Sequence, residues 1–145
     1  IEVISFFNAN VSKLNTLTEY TTLSDGSIEQ EDLVGTAASR ESYPEWRGTF
    51  SSTWKYNGWT ANYNLRHIDS TTEQFLGEPR GIGSVTYHNI SGGYQFANNL
   101  GVKLGVNNLG DKQPPASLTN LNINFDQNTY NPVGRYMYLQ LTYSL

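Results

Sequence analysis

The stretch Phe50-Ser51-Ser52-Thr53-Trp54-Lys55-Tyr56-Asn57-Gly58-Trp59-Thr60-Ala61-Asn62-Tyr63-Asn64-Leu65 decides the fold. Asn57-Gly58 is the strongest short hairpin signal, because both central residues of a type I′ turn take positive φ. A two-residue turn there sets Tyr56 opposite Trp59, Trp54 opposite Ala61, Ser52 opposite Tyr63 and Phe50 opposite Leu65. Side chains alternate along a strand, so these residues share one face. Lys55, Thr53, Ser51, Thr49 and Arg47 share the other with Thr60, Asn62, Asn64, Arg66 and Ile68. Two runs that alternate independently stay in phase across the turn. The segment reads as an antiparallel hairpin with one aromatic face and one polar face.

The same logic extends in both directions. Ala97-Asn98-Asn99 reads as a three-residue turn, with an Asn able to take the left-handed position. It pairs Phe96 with Leu100, Tyr94 with Val102, Gly92 with Leu104 and Ile90 with Val106. The last run, Gly134 to Leu145, puts Met137, Leu139, Leu141, Tyr143 and Leu145 on one face. Tyr136, Tyr138, Gln140, Thr142 and Ser144 fall on the other. An opening run over Val3 to Leu14 alternates less cleanly, with Phe7, Ala9 and Val11 in phase. The expectation is an all-β antiparallel meander of about six strands. Its connections alternate in length, with short turns at 57–58 and 97–99 and long polar loops at about 18–43, 69–84 and 111–132. Short turns at one end and long loops at the other are the pattern of an outer-membrane β-barrel, which places the chain's end at Leu145 in the periplasm.

Composition agrees with membrane strands. Only 15% of the 145 residues are charged and 13% are aromatic, with ten Tyr and three Trp among many Asn, Ser, Thr and Gly. No run approaches the roughly 18 apolar residues of a spanning helix, whereas a spanning strand needs only about 9–11 of alternating polarity. The negative mean hydropathy, −0.50, therefore does not oppose a membrane location. The chain has no Cys, which excludes disulfides and thiolate metal sites, and its net charge of −4 offers no footprint for nucleic acid. Ile1 to Phe7 lacks the features of a signal peptide, so any export signal is expected to have been removed or to lie upstream.

The run Gly105-Val106-Asn107-Asn108-Leu109-Gly110-Asp111-Lys112-Gln113-Pro114-Pro115 resembles the penultimate-strand signature of TonB-dependent outer-membrane receptors. Tyr130-Asn131-Pro132-Val133-Gly134-Arg135-Tyr136, followed by an alternating strand, resembles the closing strand of that family, and Tyr43-Pro44-Glu45-Trp46 is similar to a segment that precedes one of its strands. The likeness covers 43–145 well and 1–42 loosely. Two departures stand out: Gly110 where the family usually has Phe, and a terminal Leu145 where it mostly ends in Phe. The resemblance implies that 1–145 is the C-terminal part of a barrel of about 22 strands around a plugged lumen, with the plug and the earlier strands absent. It implies active uptake of a scarce solute, an iron chelate (siderophore), cobalamin or an oligosaccharide, by a Gram-negative cell. Its partners are then outer-membrane lipid, the small solute, the TonB complex through the missing N-terminal region, and the barrel-assembly machinery through the C-terminal strand. No catalysis and no cofactor are expected.

Residue roles follow from the faces. Arg47, Asn62, Asn64, Arg66, Lys103, Asn107 and Gln140 are the candidate lumen-facing contacts. Phe50, Trp54, Tyr56, Trp59, Tyr94, Phe96 and Leu104 are expected to face lipid, with the rings gathered beside the short turns as an interfacial girdle. Leu139, Leu141, Tyr143 and Leu145 form the expected assembly signal. His67 and His88 fall on the apolar face or its rim without acids at metal spacing. Glu29, Glu31 and Asp32 read as a solvated loop, and Gly81-Ile82-Gly83 has no following helix to make a nucleotide site. The rival from another class is a soluble β-sandwich carbohydrate-binding module, which would bury the apolar face under a second sheet and carry short loops at both ends. A structural or adhesive barrel is a third option.

Overall fold

The computed structural model describes residues 3–38, 41–97, 99–120 and 123–144, and among these the chain is all β. The strands are β1 (Ile4–Lys13), β2 (Thr18–Thr22), β3 (Ile28–Asp32), β4 (Thr36–Ala38), β5 (Glu41–Ser42) and β6 (Trp46–Tyr56). They continue as β7 (Trp59–Ile68), β8 (Thr71–Phe75), β9 (Glu78–Ile82), β10 (Val85–Gln95), β11 (Leu100–Asn107) and β12 (Tyr136–Tyr143). The six long ones form one sheet in the order β1-β6-β7-β10-β11-β12, every neighbour antiparallel.

The turn chemistry is what the residues dictate. Asn57 and Gly58 take φ of 44° and 81°, closing β6 onto β7 with Tyr56 opposite Trp59 and Phe50 opposite Leu65. Asn99 takes φ 64° and the Phe96 N–H donates to the Leu100 carbonyl at 2.8 Å, so β10 and β11 keep the expected register. Asn98 and Leu145 lie outside the described residues. Both short turns, the start of β1 and the end of β12 lie at one end of the sheet. The three long connections (14–45, 69–84 and 108–135) lie at the other.

Those connections correct the six-strand expectation. The first contains the β2–β3 hairpin, turned at Asp25-Gly26, together with β4 and β5; the second contains the β8–β9 hairpin. β4 pairs with β8 in parallel, giving a second sheet in the order β5-β4-β8-β9 that ties the first two connections together. Two of the three long loops are therefore not structureless. The third carries no strand among its described residues.

The packed core sits at the connection end. Ile68, Val85, Tyr87 and Tyr130 are buried together where the third connection folds back onto the polar face of the sheet. Along the opposite face the apolar side chains have no layer over them, and Leu104, Leu139 and Leu141 each stay at least 60% exposed. β1 and β12 are not paired with each other, so this sheet is open.

Candidate functional site

The register stacks the polar face into rows across the sheet. Beyond a short row of Gln95, Gly101 and Thr142 at the 97–99 turn, the first row to cross β6, β7, β10, β11 and β12 is Lys55–Thr60–Gly93–Lys103–Gln140. The next is Thr53–Asn62–Ser91–Gly105–Tyr138, and the third is Ser51–Asn64–Asn89–Asn107–Tyr136. Arg66 follows between Thr49 and Tyr87, and Arg47 lies opposite Ile68 at the connection end. All seven sequence-derived lumen candidates thus share one face. They do not form one cluster.

The first two rows floor an open groove of about 490 Å³, lined by Lys55, Asn62, Lys103 and Gln140 among others. Asn62 is held in a cross-strand ladder: it accepts from the Thr53 hydroxyl at 2.9 Å and donates to Ser91 at 3.3 Å. The Tyr138 ring lies flat over Gly105, in the space that a Cβ on that residue would need. Nearer the connections, Asn107 donates to the Tyr136 hydroxyl at 2.6 Å, and Arg66, Asn89, Asn107 and Asn131 line a smaller cavity of about 170 Å³.

Two of the candidates hold the connections. The Arg47 guanidinium donates to the Ser42 carbonyl at 3.0 Å, and Arg66 donates to the Thr129 carbonyl at 3.2 Å. Asn108, in the Asn-Asn motif, takes φ 50° and its amide brackets Lys112, accepting at 2.8 Å and donating at 2.9 Å. Its own N–H donates to the Asn89 side chain at 2.8 Å. That motif turns the chain out of β11 and back toward the sheet.

Sequence reasoning missed the hub of the connections, Glu73 on β8. Its side chain is fully buried and ion-paired to Arg80. It also accepts from Ser117 Oγ at 2.8 Å, Leu118 N at 3.0 Å, Thr119 N at 3.2 Å and Thr119 Oγ1 at 3.0 Å. Burial pushes the carboxyl up, but the donors at Leu118, Ser117, Arg80 and Thr119 outweigh it and hold the pKa at about 2. One anion thereby ties the second connection to the third.

The apolar face carries a chain of rings. Trp59 and Tyr94 stand 4.8 Å apart, as do Tyr94 and Phe96; Phe7 lies 6.5 Å from Phe50 and 6.4 Å from Trp54. Tyr56, Leu104, Leu141 and Tyr143 share this face and are exposed. A second aromatic group, not read from the sequence, stands at the other end. The Lys13 ammonium lies 5.1 Å above the Trp46 ring and 3.1 Å from Glu45. Eight residues separate Trp46 from Trp54 along β6, roughly 26 Å of extended chain. His88 shares a 2.8 Å hydrogen bond with the Tyr63 hydroxyl, and His67 shares one of 2.8 Å with Thr86. No group of metal ligands occurs among the described residues, and β3, with Glu29 and Glu31, is exposed. No protein-family model, curated protein or solved structure matches the chain.

Proposed function

We propose that this chain is a wall segment of an outer-membrane β-barrel, the C-terminal part of a TonB-dependent transporter. The polar face lines the lumen, the aromatic face meets lipid, and the long connections face the cell exterior. The solute, an iron chelate, cobalamin or an oligosaccharide, is bound noncovalently and nothing is catalysed. Energy reaches it through the TonB complex, and β12 is the strand offered to the barrel-assembly machinery. One observation carries the reading: a six-stranded sheet keeps an uncovered apolar face, fringed by aromatic rings at both ends, while its other face is polar. Water disfavours such a face, whereas hydrocarbon about 25 Å thick suits it. A carbohydrate-binding sandwich would need a second sheet over Trp54 and Leu104, and the second sheet here belongs to the connections.

The test compares neighbours on β12. Leu141→Arg puts a cation on the lipid face and should cost about 2–4 kcal/mol of assembled-barrel stability near the bilayer midplane. Gln140→Arg, toward the lumen, should cost much less. Denaturant titration of both variants in lipid vesicles decides the matter, and equal costs would overturn the assignment of faces.

A further inference from the structure

Where the third connection folds back onto the sheet it walls off a small cavity, and the free hydrogen-bonding groups there are mostly donors. The cavity measures about 170 Å³ and lies at the connection end of the polar face. Asn89 and Asn107 reach it from one row of the sheet, Arg66 from the row beyond, Asn131 from the connection and Tyr136 from the start of β12. The Asn89 amide oxygen accepts from the Asn108 N–H at 2.8 Å, and its NH2 has no partner among the described residues. The Asn131 oxygen accepts from the Val133 N–H at 2.9 Å, so its NH2 is free in the same way. Backbone donors thus fix which way both amides point. Tyr136 accepts from Asn107 at 2.6 Å and keeps its own O–H to give. Arg66 gives one nitrogen to the Thr129 carbonyl and keeps the remainder of its fork. Against these donors stands the free amide oxygen of Asn107. No carboxylate lines the cavity. None of the chain's 13 acids lies in the six long strands. Asp111 and Asp126, the acids of the third connection, accept from backbone N–H groups within that connection.

We propose that this cavity binds a carboxylate or phosphate group of the solute. The inference deepens the transporter reading and rests on it for placing the connection end at the outer mouth of a barrel. A guanidinium fork beside planar amide donors matches the acceptor oxygens of an oxyanion, and charge assistance strengthens each bond. A neutral sugar brings a donor with every hydroxyl, and those donors would find few free acceptors beside the Asn107 oxygen. A cationic solute would meet the guanidinium. The site also joins two parts of the fold. Arg66 and Asn89 belong to the sheet and Asn131 to the connection, so an anion that touches all three fastens the third connection to the sheet. Arg66 can hold the Thr129 carbonyl and the anion together, because its fork has donors for both.

The experiment uses the full-length protein in phosphatidylcholine vesicles at low salt. Malonate, inorganic phosphate and malonamide, the uncharged counterpart of malonate, are titrated in turn by calorimetry. Saturable binding of at least one anion, with none of malonamide, is expected; the two anions separate carboxylate from phosphate preference. Asn89→Asp keeps the oxygen that accepts from Asn108 and turns the free amide donor into a charged oxygen. It should therefore weaken binding at least about tenfold with the fold intact, and Arg66→Gln should act by a similar factor. Bound anion should also slow exchange of the Tyr130 amide, which donates to the Asp126 carbonyl at 3.0 Å within the third connection. Absence of anion binding overturns the proposal, and so does malonamide binding as tightly as malonate. Binding that ignores both variants, or that leaves Tyr130 exchange unchanged, puts the anion elsewhere and overturns it too. Quenching of tryptophan emission by brominated lipid in the same vesicles tests the membrane reading separately. Quenching without anion binding removes only the site, whereas binding without quenching removes only the barrel.

Discussion

Leu76 stands at φ 53° on the tip of the β8–β9 hairpin, 89% exposed, followed by Gly77 at φ 85°. This is the two-residue geometry that favours Asn-Gly, and a bulky side chain there is strained. Leu76→Asn should therefore stabilise the hairpin by about 0.5–1 kcal/mol, measured as slower amide exchange across β8 and β9. Glu73 gives a prediction of opposite sign. Its folded pKa of about 2 lies below its ordinary 4.5, so the stabilisation is complete above 4.5 and is lost as pH falls toward 2. The amount is about 3 kcal/mol. Protection of the Leu118 and Thr119 amides should collapse over that window, and in Glu73→Gln it should be weak at every pH. Protection that does not change between pH 6 and pH 2 in the unaltered protein would contradict this role. Nothing near Thr71-Thr72-Glu73-Gln74-Phe75 could have announced it. Its partner Ser117 is 44 positions away, and a lone acid in a polar run reads as solvated.

A strand is readable when its two faces differ. β6, β7, β10, β11 and β12 alternate aromatic or aliphatic with polar side chains, and the turns at 57–58 and 97–99 supply the phase. β2 and β3 have no such contrast: Tyr20 is exposed, Glu19 stands opposite Glu31, and only Asp25-Gly26 marks the turn. β4 is short and pairs in parallel with β8, so its partner is not adjacent in sequence and no turn marks the pairing. The candidate polar set was readable as a face for the same reason. The engagement of Arg47 with the nearby Ser42 carbonyl and of Arg66 with the distant Thr129 carbonyl was not, since a register says nothing of the connections that fold back. Between β11 and β12 one side-chain contact is closer than the rest of the ladder. Gly105→Ala would push a methyl group against the outer end of the Tyr138 ring, which must swing aside over the open face, and should destabilise the sheet by no more than about 1 kcal/mol, with Gly105→Ala/Tyr138→Ser recovering part of it in the same denaturant titration.

The molecule as a whole divides into a sheet that is open at both edges and a connection layer closed by hydrogen bonds. The two parts obey different rules. The sheet is uncovered on its apolar face, and if it stands in hydrocarbon, as proposed, its β1 and β12 edges need further strands, because unpaired N–H and C=O groups there each cost several kcal/mol. The connection layer has its own sheet and its own buried hub at Glu73, and it shares the buried cluster of Ile68, Val85, Tyr87 and Tyr130 with β7 and β10. The two-residue turn at Asn57–Gly58 also has a consequence in time. Hairpins close in roughly 1–10 μs, whereas a contact between Glu73 and Ser117 must wait until the long segment between them has been brought round. The β6–β7 pair therefore belongs to the early nucleus, where a substitution slows folding. The Glu73 clasp belongs to the late steps, where the same loss of free energy speeds unfolding instead. The turn end of the long sheet and the connection layer thus control opposite halves of the molecule's lifetime.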